Sequence, residues 1–413
     1  MTRGKVVDLF CGAGGASLGF AKAGYEVVGA VDVNKEALDT YEHNLCDSDL
    51  LEDYDGRVTF DEPFRADLGR GYEEPPTDDD IPQITFEDIR EYFDLQPGEV
   101  DVICGCPPCQ NFSSLRDTEK WPEDEPKDNL LRAFVDFVKE EIPEVVFFEN
   151  VRNIMSAGEE NPTTYVDWLK RSMGEIVRKE DSQASGGYGV ALDVLNTADY
   201  GVPQRRERTI GLFVYGKKDD EISLPSPTHA QHSRGGKQRW KSVEETFDEV
   251  EDLKCDLGAG EKQVDVKGFP DDEAHRARNH HQSTVDRMKA IRKHGDSWRD
   301  LQDTEDEDHI VDAHKAVDRG AHSAYGIIDG DLPAPTLTTR CTTPSCGRFT
   351  HPEQNRGLTP REAALLMTFP RWFELPTQND AAERVVGNAV PSDFVAAIAS
   401  RIPQSEFNQK VQV

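Results

Sequence analysis

Residues 5–32 read KVVDLFCGAGGASLGFAKAGYEVVGAVD, and this stretch decides the fold class. The apolar run at 5–10 predicts a buried strand, the glycines after it predict a turn, and residues 16–23 have the pattern of a helix. A second apolar run, at 25–32, predicts another strand, which ends on a carboxylate. Strand, glycine turn, helix and strand in this order form a βαβ unit, the opening of a doubly wound sheet.

The same alternation continues through the first half of the chain. Further strands are predicted at 100–105, 144–151, 190–196 and 208–216, with helices near 34–44, 128–141 and 163–179. Residues 47–80 are acidic and rich in proline and glycine, which predicts a surface insertion. We therefore expect an α/β fold with a doubly wound, mostly parallel sheet.

A change of composition at Leu224 predicts a second, smaller domain. From there to about residue 355 the sequence is irregular and highly charged. A helical segment from Thr359 and a last helix from Ser392 are expected to return to the first domain. The predicted division is 1–223, 224–356 and 357–413.

The chain of 413 residues is strongly acidic, with 79 Asp and Glu against 47 Lys and Arg and a formal net charge of −32. Three interpretations are a disordered acidic protein, a nucleic-acid mimic, or a protein from a salt-rich cytoplasm. Clear apolar strand patterns argue against disorder, and we favour a haloadapted surface. No apolar stretch reaches membrane-spanning length and the first residues lead directly into a strand, so we expect a cytoplasmic protein without a membrane partner.

The glycine loop after the first strand is a candidate cofactor site. Phe10, Gly12 and Gly14 lie where a backbone can approach a ligand and turn into a helix. A dinucleotide fingerprint would have a third glycine where this chain has Ser17, so the loop suits a nucleoside better than a pyrophosphate. Asp32, at the end of the second strand, is placed to accept ribose hydroxyls. A purely structural turn and a solvated carboxylate remain the alternative.

Three of the eight cysteines lie close together, at Cys104, Cys106 and Cys109, in and just after the strand 100–105. Redox chemistry is disfavoured because the sequence around them does not have the context of a thioredoxin, and zinc because no second ligand pair lies nearby. The remaining interpretation is a nucleophile. A cysteine on a turn after a parallel strand, near a helix N-terminus, can have its thiolate favoured.

Two more motifs lie at strand ends. Glu149 closes the strand 144–151, where partial burial would raise the pKa of its carboxyl and let it donate a proton; a glutamate facing water is the alternative. In QRRER, Arg206 and Arg208 alternate, which predicts that their side chains share one face at the start of a strand.

The positions of these residues agree with one another. Phe10, Asp32, Cys109 and Glu149 all follow the carboxyl ends of predicted parallel strands. Open α/β sheets bind ligands at this edge. If 208–216 is an antiparallel edge strand, its first residues lie at the same edge, which would bring Arg208 there as well.

Six motifs resemble those of the DNA (cytosine-5) methyltransferase family, in the order of that family. They are DLFCGAGG, GCPPCQNFS, ENV, QRRER, LTPREAALLMTFP and VVGNAVP, between residues 8 and 391. The resemblance implies a Rossmann-like, S-adenosylmethionine-dependent methyltransferase whose target-recognition domain is 224–356. One departure is Leu366-Met367, where many members carry a glutamine.

The resemblance also implies a role for each residue. Cys109 attacks carbon 6 of cytosine, Glu149 protonates ring nitrogen 3, and Arg208, with Arg206 nearby, holds the base oxygen and the loop. The S-adenosylmethionine site is implied at Phe10, Gly12, Gly14, Asp32, Asn388 and Val390. The acid that binds the adenine is expected to be Asp88 in FEDI, with Asp67 in RADL as the rival. No metal is expected.

The implied partner is double-stranded DNA from which the target cytosine is flipped out. Residues 234–241 and 275–293 are the most basic stretches of the second domain, which makes them candidates for contacts with the DNA backbone; a solvated basic helix is the alternative. The rival functions are tRNA cytosine-5 methylation, whose Cys-Phe-Thr signature is not found, and a catalytically dead DNA-binding homologue. We expect a monomer, and the sequence leaves open whether a cognate restriction endonuclease accompanies it.

Overall fold

The computed structural model describes residues 2–46, 60–68, 83–108, 129–157, 163–178, 186–248, 265–266, 269–270, 272–311 and 323–403. By contacts between residues, the chain divides into two compact units. Unit 1 comprises Met1–Asn196, Glu207–Ser226 and Ser392–Val413, and unit 2 comprises Thr197–Arg206 and Pro227–Pro391. Among the described residues, no helix is long and apolar enough to cross a membrane.

Unit 1 contains the predicted sheet, with seven strands. They are β1 Lys5–Leu9, β2 Glu26–Asp32, β3 Phe64–Arg65, β4 Val102–Gly105, β5 Val145–Val151, β6 Tyr188–Asn196 and β7 Glu207–Tyr215. The order in space is β3-β2-β1-β4-β5-β7-β6. The first five of these strands pair in parallel, and β7 is antiparallel to both of its neighbours. The predicted fold class is therefore confirmed.

Two details of the sheet differ from the sequence-based expectation. The edge next to β7 is formed by β6, so residues 208–216 lie one strand inside the sheet. The segment 47–80 is not only a surface insertion, because β3 lies within it and pairs with β2. A strand of two residues is too short to give an alternating pattern, which explains why the sequence did not reveal it.

Helices cover both faces of this sheet. They are α1 Gly15–Lys22, α2 Lys35–Tyr41, α3 Phe86–Tyr92, α4 Asn129–Glu141, α5 Tyr165–Gly174 and, from the C-terminal segment, Ser392–Ala399. Successive residues of β5 point to opposite faces: Phe148 packs against Phe134 of α4 at 5.8 Å between ring centroids, and Phe147 meets Phe20 of α1 edge-on at 5.6 Å. The last helix packs closely on α1, since a Cβ at Gly19 would lie 2.5 Å from the Cβ of Val395.

Unit 2 has short elements joined by irregular chain. Its strands are β8 His229–Ala230, β9 Gln238–Arg239, β10 Asp265–Val266 and β11 Phe269–Pro270, and its helices are α6 Val243–Asp248, α7 Gln282–His294, α8 Pro360–Leu366 and α9 Asn379–Asn388. The helix Ser392–Ala399 is α10. Residues 357–391 belong to unit 2, whereas the sequence placed the return to the first domain at 357. The assignment of target recognition to 224–356 stays a prediction.

A buried ion pair stabilises the start of α8. Arg356 and Glu362 are almost fully buried and form two hydrogen bonds, of 2.8 and 2.7 Å. The Glu362 carboxylate also accepts the backbone N–H of Thr359, whose hydroxyl caps the helix. A buried carboxylate needs such partners, so this motif holds the late helix in place in unit 2.

Candidate active site

Four neighbouring parallel strands of unit 1 end side by side. One row across the sheet is Val31, Leu9, Gly105 and Phe148, in sheet order. The next residues along the chain are Asp32, Phe10, Cys106 and Glu149. The predicted convergence at the carboxyl edge therefore exists for the described residues. Cys109 itself lies outside the described residues, and the chain is described as far as Pro108, the residue before it.

The glycine loop is tied directly to the end of β2. Phe10 has a left-handed backbone, with φ of 62°, and Gly12 has φ of 55°. The Gly12 N–H donates to Oδ2 of Asp32 at 2.9 Å, and Oδ1 of Asp32 accepts the N–H of Asn34 at 2.8 Å. A Cβ at Gly12 would meet nothing within 4 Å, so the backbone here is open to a ligand.

Gly14 is required for a different reason. It is the N-cap of α1, with φ of 88°. A Cβ there would lie 2.3 Å from Cδ1 of Leu45 and 2.9 Å from Cδ2 of Tyr41. No side chain fits this position, which allows the π-helical turn Glu42–Cys46 after α2 to pack against the loop.

Beneath the loop lies a buried network of polar side chains that the sequence did not predict. Asp8 and Ser17 are both fully buried, and the Ser17 hydroxyl donates to Oδ2 of Asp8 at 2.6 Å. The Tyr41 hydroxyl lies 3.2 Å from that of Ser17. Burial raises the pKa of Asp8 to about 6, although the hydrogen bond from Ser17 acts in the opposite direction. Ser17, which breaks the dinucleotide pattern, therefore holds α1 to β1.

Asp67 and Asp88 have different surroundings. β3 pairs with the last residues of β2, and Ala66 donates its N–H to the Asp32 carbonyl at 3.1 Å. Asp67 is the next residue and thus lies beyond the end of β3, two residues past Arg65, which pairs with Asp32. Asp88 is in the first turn of α3, where its carboxylate accepts both the N–H and the hydroxyl of Thr85 at 2.6 Å. The placement favours Asp67 as the partner of Asp32 at the rim.

Glu149 and Arg208 form an ion pair at the same strand-end edge of the sheet, where β5 and β7 meet. β5 and β7 pair so that Val151 lies opposite Arg208, and the Arg208 Nε lies 2.9 Å from Oε1 of Glu149. Both side chains are mostly buried. The ion pair holds the carboxylate of Glu149 in one orientation, as a proton donor or acceptor at a fixed place would require.

Asn150 connects this strand to the cysteine loop. Its side chain is 3 % exposed, and Nδ2 donates to the carbonyl of Pro107 at 3.0 Å. Pro107 precedes Cys109 by two residues. Asn150 was part of the quoted motif ENV but was not predicted as a site residue, because nothing in the sequence indicates what a strand-end amide would bind.

Cys104 and Cys106 are poorly activated as nucleophiles. Burial raises the pKa of Cys104 well above its ordinary value. A hydrogen bond with Cys104 lowers the pKa of Cys106, but burial and the nearby acids Glu149 and Asp8 raise it, to about 11 overall. Both thiols therefore stay protonated at neutral pH, and the thiolate is the reactive form of cysteine.

Arg206 and Arg208 have different partners, so the predicted common face is not formed. β7 begins at Glu207, and Arg206 belongs to unit 2. Arg206 is 3 % exposed and donates to the backbone carbonyls of Leu337 at 2.8 Å, Gly387 at 3.0 Å and Ala389 at 3.1 Å. The last two carbonyls flank Asn388, so Arg206 fixes the backbone at the end of α9.

Within unit 2, Asn388 is exposed and Val390 is buried. Gly387 is closely packed, since a Cβ there would lie 2.4 Å from the backbone of Thr338 and Thr339. Arg206 and Gly387 together hold the chain that carries Asn388 and Val390 in one conformation.

One group of side chains in the described part of the chain has metal-ligand spacing, and it lies in unit 2. It consists of His294, Glu305 and Asp306. The Lys293 ammonium lies 2.7 Å from Glu305 and 2.8 Å from Asp306, so these carboxylates already have a cation.

Comparisons with known proteins agree with the geometry. The family model for C-5 cytosine-specific DNA methylase matches residues 4–61 and 72–404. The chain is 27% identical over 403 residues to the Type II methyltransferase M1.HphI of Haemophilus parahaemolyticus, covering 98% of this chain and 87% of the relative. It is 28% identical over 410 residues to the Type II methylase M.HgiDII of Herpetosiphon aurantiacus, covering 97% and 95%.

Solved structures show the same fold. A putative DNA modification methyltransferase encoded within a prophage of E. coli has a TM-score of 0.60 at 20% identity, covering 96% of this chain and 97% of that one. The S. pombe Dnmt2 methyltransferase has a TM-score of 0.52 at 17% identity, covering 96% of each chain. Since the family model spans nearly all of the sequence, the chain belongs to the C-5 cytosine-specific DNA methylase family and is a DNA cytosine-5 methyltransferase.

Proposed function

We propose that this enzyme methylates carbon 5 of a cytosine flipped out of a specific sequence in double-stranded DNA, through a covalent bond between Cys109 and carbon 6. The observation that carries the proposal is the shared rim of unit 1, where the cofactor loop, the start of the cysteine loop and the Glu149–Arg208 pair follow adjacent strands. A base in the duplex stack cannot reach such a rim, which is why flipping is part of the proposal.

The cofactor of the proposed reaction is S-adenosylmethionine, which supplies an electrophilic methyl group. The donor set fits a nucleoside: the open backbone at Gly12, the left-handed turn at Phe10, and the Asp32 carboxylate, whose oxygens accept the N–H groups of Gly12 and Asn34 and can accept a ribose hydroxyl as well. Asp67, just past the end of β3, is our choice for the adenine. Asn388 and Val390 are retained as cofactor residues on their motif.

Glu149 and Arg208 would act on the cytosine ring. Addition of the Cys109 thiolate across the 5,6 double bond forms the sulfur–carbon 6 bond and moves electrons towards ring nitrogen 3, which takes a proton from Glu149. Arg208 would hold the base oxygen while keeping the Glu149 carboxyl in orientation. Carbon 5 becomes nucleophilic and is methylated. Its proton then passes to a solvent water, the Cys109 thiolate is eliminated, and ring nitrogen 3 returns its proton to Glu149, which restores the ring and the enzyme. Asn150 would position the chain before Cys109 through Pro107.

The test uses duplex DNA in which the target cytosine is 5-fluorocytosine, together with S-adenosylmethionine. Fluorine cannot leave as a proton does, so the wild-type protein should remain attached to the DNA in denaturing gels. Cys109→Ala should form no adduct, and the matched control Cys106→Ala should form it as the wild type does. Trapping of Cys109→Ala, or a peptide map in which Cys106 carries the base, would overturn the nucleophile assignment.

Further parts of the proposal concern partners and surroundings. We propose that the enzyme acts as a monomer, as the modification partner of a cognate restriction endonuclease, in line with the Type II designation of its relatives. Residues 1–223 and 357–413 would be catalytic and 224–356 would read the sequence. The net charge of −32 supports a haloadapted protein.

Incubation with labelled cofactor and either duplex DNA or tRNA separates DNA methylation from tRNA methylation and from an inactive homologue.

A further inference from the structure

The two basic stretches of unit 2 differ in how their cations are used. Both were candidates for contacts with the DNA backbone, on sequence alone. A cation binds phosphate strongly only if its charge and N–H groups are not already committed inside the protein. The structure distinguishes the two stretches on this criterion.

In 275–293, all but one of the basic side chains are held by unit 2 itself. Their acceptors are the Thr377 carbonyl for Arg276, Asp380 and Glu383 for Arg278, the His309 carbonyl for Arg287, carbonyls of 351–354 for Arg292, and Glu305 with Asp306 for Lys293. Lys289 is the exception and is exposed. These contacts occupy donors of the cations in and just before α7, and the carboxylates that pair with Arg278 and Lys293 also offset their charges.

Residues 231–237, which we name the basic loop, are arranged differently. The loop joins β8 to β9 and is closed by a hydrogen bond of 3.1 Å from the Lys237 N–H to the Arg234 carbonyl. Between them, Gly235 and Gly236 have φ of 62° and 80°, and a Cβ on either would meet nothing within 4 Å. The tip therefore projects into open space, with two left-handed residues that expose the backbone.

The base of the loop is fixed, although its tip is open. The Trp240 indole N–H donates to Oδ1 of Asp199 at 2.8 Å, and the Arg239 guanidinium donates to the Asp331 carbonyl at 3.2 Å. The Ser233 hydroxyl donates to the Lys237 carbonyl at 3.0 Å. Less conformational entropy is lost when a ligand binds a loop that is already held in this way.

The charges at the tip are uncompensated within the described part of the chain. No carboxylate there forms an ion pair with Arg234 or Lys237, and the sequence from 227 to 243 contains no Asp or Glu. In a chain with a net charge of −32 such a region attracts a polyanion locally while the remainder repels it.

We propose that the basic loop, through Arg234 and Lys237, is the part of unit 2 that contacts DNA phosphates, and that helix α7 is not. The proposal rests on the proposed function, since it takes duplex DNA as the substrate. Phosphate is the acceptor that fits: it offers paired oxygens to the guanidinium of Arg234, a point charge to Lys237, and an acceptor for the exposed N–H groups of Gly235 and Gly236. Contacts of this kind carry no base information.

The test compares two variants with the same change in net charge. Arg234→Gln with Lys237→Gln removes two positive charges from the loop, and Lys289→Glu changes the charge of α7 by the same amount. Dissociation constants for a labelled duplex are measured by fluorescence anisotropy at about 0.2 and 0.8 M KCl. Each lost phosphate contact lowers the exponent that relates binding affinity to salt concentration by about 0.9. The affinity at the lower salt concentration, divided by that at the higher, should therefore be about 12-fold smaller for the loop variant than for the wild type. The Lys289→Glu variant should keep the wild-type ratio.

Equal behaviour of the two variants, or a larger effect in Lys289→Glu, would overturn the proposal. Thermal unfolding and cofactor binding of both variants should match the wild type, because Arg234 and Lys289 are exposed and Lys237 is only partly buried. Failure of the proposed function would look different, since the wild-type protein would then not methylate DNA at all. A wild type that methylates DNA, with a loop variant that binds it as the control does, contradicts the loop assignment alone.

Discussion

Asp8 gives a quantitative test of the site's buried network. Its carboxyl is fully buried beneath the cofactor loop, and burial raises its pKa from 3.8 to about 6. The replacement Asp8→Asn keeps an oxygen that can accept the 2.6 Å hydrogen bond from Ser17 but cannot ionise. The pH dependence of stability that is due to this one group should therefore disappear in the variant.

The sign follows from proton binding. The folded protein holds the Asp8 proton more tightly than the unfolded chain, so stability decreases as the pH rises from about 4 to about 6. The raised pKa corresponds to roughly two pKa units at 1.36 kcal/mol each, or about 3 kcal/mol. This cost is absent below about pH 4 and fully present above about pH 6. The free energy of unfolding of Asp8→Asn, relative to wild type, should accordingly rise by about 3 kcal/mol between these limits.

The assay is urea unfolding in molar KCl, followed by tryptophan fluorescence at several pH values from about 4 to 8. Asp220→Asn is the matched control, because Asp220 is exposed. The free energy of unfolding of Asp220→Asn, relative to wild type, should change much less over this pH range. The contrary outcomes are a free energy of unfolding of Asp8→Asn, relative to wild type, that stays constant or that falls as the pH rises. Either result would refute the account of Asp8 as a carboxyl whose charged form is destabilised by burial.

Three further predictions concern the proposed chemistry and the surface. Glu149→Gln should lower the single-turnover methylation rate by about 10²–10⁴-fold; a loss confined to cofactor affinity would contradict its assignment. Arg206→Lys should lower the free energy of unfolding by about 1–3 kcal/mol, because buried carbonyls lose their donor. It should also weaken S-adenosylmethionine binding more than it lowers the maximal rate, and calorimetry that finds wild-type affinity would exclude the positioning role. Methylation and folding should improve from about 0.1 M to about 1 M KCl, where the Debye length is about 3 Å; full activity and stability in dilute buffer would exclude haloadaptation.

Most of the rim could be predicted because its residues follow strands with strong periodic patterns. Valine, leucine and phenylalanine dominate the runs at 5–10 and 144–151, as expected of parallel strands covered on both faces, and the structure has β1 and β5 at these places. Since carboxyl ends of parallel strands share one edge, the strand positions alone were enough to bring Phe10, Asp32 and Glu149 to that edge.

The remaining features depend on contacts between distant residues. Ser17 was visible only as a missing glycine, since its bond to Asp8 depends on the packing of α1 against β1. Our preference for Asp67 over Asp88 could not come from the sequence because β3 has only two residues, and its pairing with β2 is a tertiary event. Arg206 was predicted from alternation, but the strand begins one residue later and the guanidinium turns to carbonyls of unit 2.

The internal use of arginine in unit 2 also bears on how so acidic a protein binds DNA. Arg206, Arg356 and Arg361 are buried, and they donate to backbone carbonyls and to the carboxylates of Glu362 and Asp272. These three guanidinium groups are therefore not available to phosphate. Acids are buried in the described residues as well, so the surface keeps the large excess of negative charge that the formal charge of −32 indicates. With few phosphate contacts, DNA affinity should fall only gently as salt is added, while screening removes the repulsion from distant acids. A small number of phosphate contacts, such as those proposed for the basic loop, would thus let the enzyme keep its DNA in concentrated salt.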